Sequence, residues 1–154
     1  MKKIVQPVGL MAAVFAVFGI ALGVLAFISG SWAQSQLITD AGGAVEFGPV
    51  FIAVAYLQIA IVLFLLGPVI AALAAGLIGP LFRGPKLAFV IGGAVSLVGF
   101  YGMSGIALAV LVLSKGAAAE QAFSFTQALL PMVAAGIPTA IMGSVIAALS
   151  SAIN

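Results

Sequence analysis

Residues 49–86 read PVFIAVAYLQIAIVLFLLGPVIAALAAGLIGPLFRGPK, and no charged side chain interrupts the chain between Glu46 and Arg83. A helix crosses the roughly 30 Å hydrocarbon core of a bilayer with about 20 apolar residues, so this run is longer than one straight crossing needs. It ends in Arg83-Gly84-Pro85-Lys86, two cations around a Gly-Pro pair, and apolar sequence resumes at Leu87. Gly-Pro marks a turn, and two cations do not enter hydrocarbon cheaply. An apolar helix, a basic turn and a second apolar helix follow from this stretch.

The same grammar extends outward in both directions. Apolar stretches at about 7–30, 49–82, 87–113 and 128–153 predict an all-α polytopic membrane protein, a single membrane domain over residues 1–154 built as a bundle of four transmembrane helices. Pro7 falls in the permissive first turn of the first stretch. Gly67-Pro68 falls inside the second, where proline lacks the N–H that would bond the Phe64 carbonyl and its ring crowds that turn, so a kink is expected there. Pro138, inside the fourth stretch, predicts another.

Composition agrees with this reading. Of 154 residues, 65% are hydrophobic and 5% charged, with a mean hydropathy of +1.41, whereas soluble domains are about a quarter charged. Five Lys or Arg and three Asp or Glu cannot coat a water-soluble globule or track a phosphate backbone, so nucleic acid is excluded as a partner. The chain has no Cys and no His, which removes disulfides, thiolate nucleophiles, imidazole bases and the usual haem ligands. No phosphate loop, carboxylate pair or metal-ligand cluster is legible, and Asp40 and Glu46 read as solvated loop acids. No catalytic residue, metal site or cofactor is expected, and the chain reads as not an enzyme.

Met1-Lys2-Lys3 before an apolar run ending at Ser31-Trp32-Ala33 mimics a secretory leader. The run from Val8 to Ile28 exceeds the roughly 7 to 15 residues of a leader's apolar region, so an uncleaved first span is expected. Lys2, Lys3, Arg83 and Lys86 fall on one side of the spans, and Asp40, Glu46, Lys115 and Glu120 on the other. The positive-inside rule then puts both termini in the cytoplasm and the loops 31–48 and 114–127 on the outer side, with Trp32, Phe47, Phe123 and Phe125 near the outer interface.

Polar side chains inside the spans are few: Tyr56, Gln58, Ser96, Tyr101, Ser104, Thr139 and Ser144. No charge is among them, which disfavours a proton relay or a voltage sensor. Gln58 is the most polar, and Tyr101, Ser104 or a backbone carbonyl is its expected partner. Small residues four apart are the richest signal: Gly19 with Gly23, Gly92 with Ser96, Gly105 with Ala109, and on the fourth helix Gly136-Ala140-Ser144 beside Thr139-Gly143. Lipid tails supply no hydrophobic force between helices, so association rests on the close approach that such rows allow.

The expected role is a non-catalytic structural or accessory membrane subunit, in contact with membrane lipid and packed through these rows into a homo-oligomer, a complex with other membrane subunits, or a virion envelope. The alternative is a passive pore, holin-like channel or small transporter lined by Gln58 and Tyr101. Each half of the chain repeats an apolar helix, an outer loop with an acid, and an apolar helix with an interior proline, without residue-level correspondence. The stretch LIGPLFRGPKLAFVIGG (77–93) resembles the helix, basic turn and helix of conjugative pilins. It covers a minority of the chain, and the fourth helix has no counterpart in them.

Overall fold

The computed structural model describes residues 2–41, 48–115 and 125–153. They form four helices, α1 (Lys2–Ala41), α2 (Gly48–Ile78), α3 (Pro85–Lys115) and α4 (Phe125–Ala152), with a 3-10 turn at Gly79–Leu81 after α2. Each helix holds a segment long and apolar enough to cross a membrane: Val5–Trp32, Ala60–Leu81 (which takes in the 3-10 turn), Pro85–Val110 and Pro131–Ala152. Phe47 and Phe123, expected at an interface, lie outside the described residues.

The helices outrun the apolar stretches. α1 does not end near Gly30 but continues through the polar segment to Ala41, so residues 31–41 are helical, not loop. Hydropathy ends a span, whereas a helix ends where breakers stand, and the first Gly-Gly pair after Gly30 is Gly42-Gly43. Likewise α3 begins at Pro85, whose fixed φ suits a first turn, with the Gly84 carbonyl accepting from the Ala88 N–H at 3.0 Å. At its other end α3 reaches Lys115, two residues past Leu113. α2 runs without interruption through Gly67-Pro68, and α4 through Pro131 and Pro138. The second stretch is therefore one helix, and the 3-10 turn carrying Pro80, not Pro68, closes it.

Around the bundle α1 packs on α3, α3 on α4, α4 on α2 and α2 on α1, so the short turn after α2 joins helices that lie across a diagonal. Successive helices run in opposite directions, which makes the neighbours α1 and α3 parallel, and α2 and α4 likewise. The shared plan of the two halves is thus no two-fold repeat, because a two-fold axis through the bundle would place α1 diagonally from α3.

Bulk is arranged outside-in. The interior is filled largely by small side chains such as Ala71, Ala75, Ala88, Ala107, Ala135 and Ala147, while Val98, Leu73, Val90 and Leu77 project outward at more than 60% exposure. In water such a surface would aggregate. In lipid it costs nothing, and small interior residues let backbones approach closely enough for dispersion to hold the bundle.

Candidate functional site

α3 and α4 meet closely where two predicted rows face each other. A Cβ on Gly92 would stand 2.5 Å from the Ala147 Cβ and 2.8 Å from the Gly143 carbonyl oxygen, and one on Gly143 would stand 3.0 Å from the Gly92 carbonyl oxygen. Only residues without a side chain let the two backbones approach this closely. Ser96 lies fully buried in the same contact, against Gly143. Among the described residues its hydroxyl has no hydrogen-bond partner. An unmatched buried hydroxyl costs about 1 to 3 kcal/mol, so Ser96→Ala is expected to hold or raise stability by about 1 kcal/mol in a denaturant titration in detergent. A loss of more than that would mean the hydroxyl is bonded.

Farther along the same face, Gly136 lies under Tyr101, whose hydroxyl would be 2.7 Å from a Cβ there, and Gly93 lies under Ser144 and the Ala140 carbonyl. On the other side of α3, Gly19 and Gly23 of α1 rest on backbone: a Cβ at Gly19 would meet the Met103 carbonyl oxygen at 2.7 Å, and one at Gly23 the Ala107 carbonyl oxygen at 2.9 Å. The aromatic ring of Phe15, itself buried, covers Gly99. α2 approaches α4 where Gly67 faces Thr139 and Phe100, so Pro68 and Pro138 sit next to one shared contact.

Gly105 and Ala109 are placed differently. Both are exposed, and a Cβ on Gly105 would meet nothing within 4 Å. The row of α3 that faces inward continues from Ala88, Gly92 and Ser96 through Phe100 to Met103 and Ala107. Thirteen residues at about 100° each carry Gly105 about 140° around the helix from Gly92, so the two pairs cannot share a face. Gly67, Gly79, Gly93 and Gly99, which the four-residue pairs do not include, are contact glycines as well. Extending the buried row by alternating steps of four and three would have found Gly99.

The polar side chains bond near at hand. Ser104 donates to the Phe100 carbonyl at 2.8 Å and Thr139 to the Ala135 carbonyl at 2.9 Å, each within its own helix. Among the described residues, Gln58 is bonded to none of the partners expected for it. Its Oε1 accepts from the Ser29 hydroxyl of α1 at 2.8 Å, at an open groove between α1 and α2. Tyr101 stands on α3 against α4. Gly67, level with Phe100, is nine residues or about 13 Å along α2 from Gln58, so Gln58 and Tyr101 are not brought together. Tyr56 side-chain placement lies outside the described residues.

No family model matches the chain, and neither curated proteins nor solved structures give a significant match.

Proposed function

We propose that the chain is a non-catalytic structural subunit of the membrane, assembled with copies of itself or with other membrane subunits through small-residue helix faces. Both termini and the Arg83–Lys86 turn then lie on the cytoplasmic side, with segments 31–48 and 114–127 on the outer side. Pro68 and Pro138, beside one α2–α4 contact, would bend both helices together there. The observation that carries the reading is the outward placement of Gly105 and Ala109. Glycine costs a helix about 1 kcal/mol relative to alanine, and among the described residues nothing comes within 4 Å of a Cβ placed at Gly105. A second helix would. A pore lined by Gln58 and Tyr101 lacks comparable support, since the two stand at different depths and on different flanks.

Native mass spectrometry of the chain extracted gently from its membrane is expected to give discrete oligomer or hetero-complex masses. Gly105→Leu is expected to dissociate them while the stability of the subunit stays within about 1 kcal/mol, because the position is exposed and a Cβ there meets nothing within 4 Å among the described residues. A monodisperse monomer, or an assembly indifferent to Gly105→Leu and Ala109→Leu together, would overturn this reading.

A further inference from the structure

Between α1 and α3 runs an open groove of about 450 Å³. Ala12 and Ala16 form one wall, Ala94 and Gly102 the other, and Phe15 and Met103 the floor. From Ala94 to Ile106 it follows twelve residues of α3, about 18 Å, close to the roughly 15 Å depth of one leaflet. Its apolar walls and its length suit a single acyl chain.

The register of the two helices decides what stands at its mouth. Phe15 covers Gly99, Gly19 rests on Met103 and Gly23 on Ala107, three pairs with the same offset of 84 residues. Carried back along parallel helices, that offset brings the backbone of Lys2 level with Lys86 and of Lys3 level with Leu87. Arg83, in the turn just before α3, joins the same layer, and both Arg83 and Lys86 are exposed. The chain's acids, Asp40, Glu46 and Glu120, come near or after the far ends of α1 and α3. Four of the five basic residues thus gather at the end of the bundle where the groove begins, with the backbone of Lys2 about 9 Å, six residues of α1, from Val8.

We propose that this groove is a binding site for an anionic phospholipid, with an acyl chain between α1 and α3 and the phosphate in the layer of Lys2, Lys3, Arg83 and Lys86. Charge complementarity selects this occupant. A zwitterionic lipid would fill the same trough without drawing on the cations. A second copy entering it in the same orientation would bring its own four cations into the layer, which repulsion opposes. The site goes beyond the assembly reading: it draws only on residues of one subunit, and Gly105 and Ala109 continue the face of Val98 and Gly102, the groove's α3 wall, two turns farther along the helix.

The test is native mass spectrometry of the delipidated full chain in detergent, titrated with phosphatidylglycerol or phosphatidylcholine, and read as lipid mass per subunit. One phosphatidylglycerol is expected to be retained, roughly tenfold more tightly than phosphatidylcholine. Replacing Lys2, Lys3, Arg83 and Lys86 with Gln should bring the two lipids to equal retention. Ala12→Leu with Ala94→Leu, both at exposed positions, should fill the trough and remove the bound lipid, whereas Ala134→Leu, exposed on α4, should retain it. Equal retention of the two lipids by the unaltered chain, or phosphatidylglycerol retained after the trough is filled, would overturn the proposal. So would a trough variant that changes the number of subunits while lipid per subunit stays the same. Failure of the assembly reading alone would leave lipid per subunit unchanged.

Discussion

Gly143→Leu is expected to separate α4 from α3 and to cost about 3 kcal/mol, the upper end of what overpacking in a close-packed interior produces. A Cβ at that position overlaps Ser96 and reaches the Gly92 carbonyl oxygen at 3.0 Å. Ser96 can rotate away, but the Gly92 backbone cannot yield without moving the whole of α3. Helix propensity works in the opposite direction, since leucine is a better helix former than glycine by nearly 1 kcal/mol. The sign is therefore diagnostic: Gly105→Ala, with no neighbour to meet, should gain up to about 1 kcal/mol from that same propensity. Denaturant titration in detergent followed by circular dichroism reads both. An unchanged midpoint for Gly143→Leu would refute the close approach of α3 and α4 at Gly92.

The second large effect is expected from Gly19→Val combined with Gly23→Val. Both positions rest on carbonyl oxygens of α3, at Met103 and Ala107, and a Cβ at Gly23 would also stand 2.7 Å from the Val110 Cβ. Two β-branched residues there push α1 off α3 along two turns and leave α2 as its main neighbour in the bundle. The loss is about 3 kcal/mol, taken from the contact between the hairpins, with α3 and α4 still paired. Because the chain has no cysteine, cysteines introduced at Ala12 and Ala94, on opposite walls of the α1–α3 groove, can be joined by a bismaleimide. Cross-linking should fall severalfold in the double variant. Undiminished cross-linking would refute the parallel α1–α3 contact.

The contrast between these sites and Gly105 shows what was readable beforehand. Small residues on α1 and α4 that a four-residue spacing singles out meet neighbouring helices: Gly19 and Gly23 meet α3, Thr139 meets α2 and Gly143 meets α3. On α3 the same spacing occurs on two nearly opposite faces, and spacing carries no information about which of them is covered. Angular bookkeeping from Gly92 to Gly105 would have shown that only one pair could face inward. The choice of face came from packing.

Gln58 is the complementary case. That a lone amide among apolar residues needs a partner follows from the cost of an unbonded polar group in hydrocarbon, and it has one. Ser29 is that partner because α1 is the neighbour of α2, while Tyr101 and Ser104 sit on the helix diagonal to it. The prolines teach the same lesson at shorter range, since the missing N–H of Pro68 is local chemistry but a continuous helix around it depends on what packs beside it.

The sequence by itself determined the four helices long and apolar enough to cross a membrane among the described residues, their approximate spans, the gathering of the basic residues at one end, and the need for small residues wherever backbones meet. All of these depend on the order of residues along one chain and on the free energy of placing each in lipid or water. Only the tertiary structure decided that α1 lies beside α3 and α2 beside α4, which small row is inside, and that a groove opens below four cations. Apolar helices in an apolar solvent have no burial gradient to choose their neighbours, so shape and register make that choice.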